Sequence, residues 1–178
     1  YAKVYFAKDD EIAALGSRDI WFERYQISDR SPEPKFTPGP VSMAVRIEEQ
    51  QPVLLYPKAS AQRLFLNIPI QNEYQGRLRK INRLLIALPK GLELEGMYGG
   101  KQKGDIEQVS CAQLPAEDAK GCNDDVFNLY DIVVSEKDTA GVTYRVVLTV
   151  ADYAALLAQG APSTQYVKVT LDYNYVIE

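Results

Sequence analysis

The chain carries two cysteines, Cys111 and Cys122, on either side of the stretch AQLPAEDAKG. Four chemistries fit such a pair: a disulfide, half of a metal site, a reactive dithiol, or two separate core thiols. A typical zinc site needs four good ligands, and two cysteines without histidine do not supply them. An active dithiol is normally a C-x-x-C, and Lys120 is the sole nearby base to lower a thiol pKa. The intervening residues are polar and turn-forming, which favours a loop folded back on itself over two independent buried thiols. A disulfide between Cys111 and Cys122 is therefore expected, with separate thiols as the alternative. Closing a loop of this size removes roughly 2–3 kcal/mol of unfolded-state freedom. A structural disulfide points to an oxidising compartment, outside the cell or at its surface.

The remaining chemistry is sparse. There is no histidine, so Ser-His-Asp and Cys-His nucleophiles are excluded. The glycine clusters GMYGG and GGKQKG lack the residues and context of a phosphate loop. Carboxylates at Asp9, Asp10, Glu11, Asp124 and Asp125 would be the raw material of a glycosidase pair. Acidic residues at turns and helix starts are more simply solvated caps, and no catalytic residue is assigned. In CNDDV, the oxygen donors Asn123, Asp124 and Asp125 suit calcium, although EF-hand spacing is absent and a polar turn is the simpler reading. No other cofactor is expected. Tyrosine is in excess, twelve against one tryptophan and five phenylalanines. Tyr1, Tyr5, Tyr25 and Tyr166 belong to this pool of rings with apolar bodies and polar tips. Tyr173 and Tyr175 fall on the apolar face of the last strand, so they read as core. Tyr98 in GMYGG and Tyr74 in NEYQG sit in turn-like contexts and are the candidate contact residues, Tyr98 first.

These groups must be carried on a scaffold, and its bulk properties bound it. With 178 residues, 46% hydrophobic and 25% charged, the chain is long enough for one well-cored domain. A net charge of −4 and a pI near 5.0 argue against nucleic acid as partner. The densest cationic run, GRLRKINR, alternates with apolar residues and is no lipid-binding tract. No apolar stretch is long enough to span a bilayer as a helix. The first residue is Tyr1 and the last lie in a strand-like YNYVIE, so both ends read as cut, and a membrane association would need an anchor outside this stretch.

Along the chain, AKVYFA reads as a strand, KDDEIAALG as one or two helical turns, and the aromatic, β-branched IWFERYQIS as another strand. Residues 1–30 thus form a strand–helix–strand appendage. DRSPEPKFTPGP, with its prolines, is extended, and residues 31–40 form a linker. From 41 to 178 the pattern is period two: Val41, Met43, Val45 and Ile47; Leu64, Leu66, Ile68 and Ile70; Leu84, Ile86 and Leu88; Tyr144, Val146, Leu148 and Val150; Val167, Val169, Leu171, Tyr173, Tyr175 and Ile177. Lys-Gly at 90–91 turns the third of these into LELEGM, and ADYAALLAQ reads as a short helix. Alternation of this kind leaves one face buried and one wet, which predicts an all-β, antiparallel, immunoglobulin-like sandwich.

FLNIPIQNEYQGRLRKINRLLIALPKGLELEG resembles the strand–turn–strand core of immunoglobulin-like, cell-adhesion-related surface domains, of the kind found in archaeal and bacterial surface proteins. YRVVLTV and APSTQYVKVTLDYNYVIE are similar to the closing strands of such domains in small-genome archaea. The resemblance covers about 41–178 and lies in pattern. It implies a non-enzymatic surface or secreted module for adhesion, spacing or assembly, with a protein partner or self-assembly through sheet edges. The alternative is a carbohydrate-binding module that holds a glycan on exposed tyrosines, with or without calcium.

Overall fold

The computed structural model describes residues 1–36, 38–57, 61–100, 105–137, 140–157 and 162–177, the side chains of 135–137 excepted. Its elements are β1 (Ala2–Lys8), α1 (Asp9–Leu15), α2 (Arg18–Arg24), β2 (Val41–Met43), β3 (Arg46–Ile47), β4 (Val53–Leu55), β5 (Arg63–Asn72), β6 (Arg77–Pro89), β7 (Leu92–Tyr98), β8 (Ile106–Val109), β9 (Phe127–Lys137), β10 (Gly141–Val150), α3 (Tyr153–Leu157) and β11 (Ser163–Val176). A single 3₁₀ turn, Cys111–Gln113, follows β8.

Two sheets result. One has the order β4-β1-β11-β6-β9-β8, the other β2-β5-β10-β7, with β3 also paired to β5. The expected alternation holds where one face is wet. Leu64, Leu66, Ile68 and Ile70 of β5 are at most 1% exposed, and Leu84, Ile86, Leu88, Tyr144, Val146 and Leu148 are fully buried in the same core. Each such side chain contributes roughly 1.5–3 kcal/mol through burial, and together they hold the sheets face to face. At one end α3 inserts Leu156 as a plug. Gly91 permits this: its φ is +97°, and a Cβ there would lie 2.3 Å from the Asp152 carbonyl oxygen. The buried Ser163 hydroxyl and Gln165 amide both donate to the Leu156 carbonyl, so neither is orphaned.

Four expectations need correction. IWFERYQIS is not a strand: Arg18–Arg24 is helix α2. The Ser17 hydroxyl caps it by accepting from Ile20 N at 3.2 Å, Asp19 lies in its first turn and Arg24 in its last. Trp21, Phe22 and Tyr25 share one helical face, and that face outweighs the strand preference of aromatic residues. Residues 1–30 are also not set apart from the sandwich. β1 pairs antiparallel with β11 and parallel with β4, so it is an internal strand of the larger sheet, and that sheet is mixed rather than purely antiparallel. VSMAVRIE is split into β2 and β3, both against β5. Strands β4, β8 and β9 were not expected at all.

β1 is buried on both faces. Val4 and Phe6 enter the main core, while Tyr5 and Ala7 pack on Trp21 and Phe22 of α2 in a second apolar cluster. The helical hairpin is the cover for this end of the sheet. The described residues of the Pro-rich 31–40 segment are irregular, and Lys35 exchanges backbone hydrogen bonds with Tyr1 at 2.6 and 2.9 Å.

Candidate contact surfaces

Tyr74 stands on the β5–β6 turn. There Asn72 Nδ2 donates to the Gly76 carbonyl at 2.7 Å, Glu73 N donates to the Pro40 carbonyl at 3.1 Å, and the Ser42 hydroxyl holds Glu73 at 2.5 Å. Gly76 is required because the Tyr175 ring lies where a Cβ would be, 2.6 Å away. The result is a fixed concavity of about 760 Å³ lined by Gly39, Pro40, Glu73, Tyr74, Gln75, Gly76, Tyr175 and Ile177. Tyr74 is 66% exposed at its rim, and the Tyr175 hydroxyl is buried without a partner among the described residues. Tyr173 and Tyr175 are half-buried and pack against the main core, as the alternation predicts.

Tyr98, 64% exposed, ends β7 opposite Arg145 of β10, whose first residue Gly141 is opposite Gln71. Both tyrosines therefore belong to the same end of the sandwich, but Tyr98 does not line the Tyr74 concavity. Its ring folds back along the strand, with its hydroxyl 3.7 Å from where a Gly96 Cβ would sit. That leaves a broad aromatic face toward solvent.

Cys111 and Cys122 are bridged, with Cα atoms 5.8 Å apart. The loop is fastened at more than the sulfurs. Ser110 and Gln113 form a capping box, both Asp124 carboxylate oxygens accept from Cys111 N at 2.9 and 3.1 Å, and Asn123 Oδ1 accepts from Asp125 N at 2.9 Å. Arg83 of β6 pairs with Asp118 of the loop and, at 3.3 Å, with Asp131 of β9. Of the calcium candidates, Asp124 lies near the two sulfurs, and among the described residues no other acidic group completes a cluster with it. Asn123 and Asp124 already serve as backbone acceptors.

The other acidic candidates lie elsewhere. Asp9, Asp10 and Glu11 form the first turn of α1, where they complement its dipole. Glu11 accepts from the Tyr25 hydroxyl at 2.5 Å, and this bond holds the Tyr25 phenol above its usual range.

Sequence reasoning missed Glu49. It ends the β3 pairing by accepting from Phe65 N at 3.0 Å, while its second oxygen is buried without a partner among the described residues. It borders a groove of about 800 Å³ between α2, the Pro-rich segment and β3. Burial holds its carboxyl above the usual range, reinforced by the nearby Glu48. A raised folded pKa means the folded state binds the proton more tightly. Stability is then fullest below the unfolded pKa and falls as pH rises through the folded one. Urea unfolding of the native protein and Glu49→Gln between pH 4 and 7 should show this component of the slope removed in the variant. An unchanged slope would put Glu49 in ordinary solvent. Nothing in the sequence marks Glu49 off from its acidic neighbours: Glu48 is held instead by Arg145, at 2.7 Å, and by Asn67.

The outer face of the smaller sheet is a wet, charged surface. Arg145 lies 4.1 Å over the Phe65 ring while gripping Glu48, and Arg63 pairs with Glu95, which also accepts from Thr149. Fold and surface together define a two-sheet β-sandwich with a helical cover and one disulfide-closed loop. No family model matches the chain, and no curated protein matches it significantly.

Proposed function

We propose that the chain is an immunoglobulin-like module of an extracellular or cell-surface protein, and that it works by contact with a protein partner and not by catalysis. The observation that carries this reading is the preformed concavity at the β5–β6 end, rimmed by exposed Tyr74 and floored by Tyr175 and Pro40. Rigid aromatic rings beside apolar surface are the usual anchors of protein interfaces. The disulfide supports the compartment, since such bridges persist in oxidising surroundings. No helix among the described residues is long and apolar enough to cross a membrane.

The test is photo-crosslinking from a reactive group placed at Gln75, on cells of the source organism. A specific adduct should form, and Tyr74→Ser should reduce its yield by tenfold or more, as loss of an interface anchor does. An adduct yield indifferent to Tyr74→Ser would remove this concavity as the contact site. A second reading, glycan binding, is favoured by one observation, the flat exposed face of Tyr98. Saturable binding on a glycan array that disappears in Tyr98→Ala would select it.

A further inference from the structure

We infer that the open edge of β8 is a docking site for an extended, basic segment of a partner protein, added as a seventh strand to the larger sheet. This rests on the contact reading above and names a second place and a chemistry for it.

An unpaired sheet edge invites strand addition, and proteins usually blunt such edges. Here three of the four are blunted. On β4, the Gln62 side chain donates to the Leu54 carbonyl at 2.6 Å and accepts from Tyr56 N at 3.0 Å, standing in for a neighbouring strand. On β7, Asn128 Nδ2 donates to the Leu92 carbonyl at 2.9 Å, and the Leu94 backbone bonds the Tyr130 hydroxyl. At β2 the strand is only three residues long, itself a poor template for pairing, and Phe36 and Pro38 of the Pro-rich segment line a groove together with its Val41 and Met43. Among the described residues nothing plays this part for β8.

The register says which groups are free. Val133 N donates to the Asp105 carbonyl at 3.2 Å, so 105 and 133 form a hydrogen-bonded pair. In an antiparallel ladder such pairs alternate, which makes Glu107–Asp131 and Val109–Leu129 the next two. The N–H and C=O groups of Ile106 and Gln108 therefore point away from β9, and among the described residues no strand pairs with them. The edge is also held in place, because the bridged and ion-paired loop begins two residues after β8.

The same register argues against a second copy as occupant. A two-fold centred on Glu107 sets that carboxylate against its own copy. Centred on Ile106, it sets Glu107 against Asp105. Centred on Gln108, it needs the Ser110 N–H, which already donates to Gln113 Oε1 at 2.7 Å. Like charges directly opposite are destabilising. A strand with basic residues opposite Asp105 and Glu107, and apolar residues on the inner face beside Ile106, meets both requirements.

The probe is a capped peptide, Thr-Lys-Val-Lys-Val-Lys-Thr, titrated onto the oxidised protein by calorimetry, with a Glu-for-Lys version as control. Saturable binding of the basic peptide is expected, at least tenfold tighter than the acidic one. Gln108→Pro should weaken it tenfold or more. That residue donates no hydrogen bond to β9, so proline leaves the β8–β9 ladder intact, and an unchanged circular dichroism spectrum would verify this. Glu107→Lys should reverse the charge preference. Binding of the basic peptide undiminished by Gln108→Pro would overturn the proposal, as would a dimer in sedimentation that Gln108→Pro dissociates. Tyr74→Ser leaves β8 untouched and should bind the peptide like the native protein, so failure here and failure of the Tyr74 reading are separable.

Discussion

Trp21→Ala is expected to cost about 3–5 kcal/mol of folding stability, the usual range for truncating a fully buried tryptophan. Trp21 has no exposed surface, packs edge-on against Phe22 at 5.3 Å and Tyr25 at 5.0 Å, and closes the outer cluster over β1 and β4. Its indole N–H has no partner among the described residues, so truncation there removes packing and not a hydrogen bond. Helix α1 has no buried residue of its own, and the hairpin depends on α2 for its hold on the sheet. Urea unfolding distinguishes two ways of losing the packing. If the hairpin stays docked around a cavity, the midpoint falls and the m-value holds. If it lifts off, the native state already exposes Tyr5 and Ala7, and the m-value falls as well. A loss under about 1 kcal/mol, within the range of a surface substitution, would mean that α2 does not cover β1.

How far the sequence foretold this follows from which faces are wet. β5 has one face in the core and one wetter face, and β10 follows it with a single buried outward residue, Val147, so their alternation is legible and correct. β9 is less regular because its outward Leu129, 3% exposed, is nearly as buried as its inward Tyr130 and Ile132. Its apolar residues then follow no period. β1 reads correctly as a strand, but its run of buried residues comes from a helix on one side and a core on the other, and only tertiary structure shows that it is internal. The aromatic content of α2 suggested a strand, while the Ser17 cap that decides against it is a single residue.

The candidate sites divide in the same way. Tyr74 was legible because asparagine and glycine around it require a turn, and turn residues are usually exposed. The side chains that blunt the edges were not. Gln62 caps a strand eight residues before it, and Asn128 reaches Leu92 across 36 positions. Amides and tyrosines at such separations carry no local signal, so the open state of β8 becomes visible only once the other edges are seen to be closed.

The double substitution Cys111→Ser/Cys122→Ser should lower stability by about 3 kcal/mol, the chain-entropy value for a loop of this length. If the bridge acted only on the unfolded chain, the folded surface would be unchanged, and hydrogen exchange at Glu107 and Val109 would slow or quicken only with global stability. The structure predicts an added local effect. The loop is pinned by the Asp124 acceptor on Cys111 N and by Asp118 on Arg83, both within the bridged segment or next to it. With the sulfurs released, these bonds must hold the loop unaided. Glu107 and Val109 donate to β9 from a strand that, among the described residues, is paired on one side only, so their protection should fall by more than that of the central Ile86 and Val169. Equal losses at edge and centre would assign the bridge to the unfolded state alone. A selective loss at β8 would show that the disulfide also keeps this edge in place, and peptide binding to β8 should then weaken in the same variant.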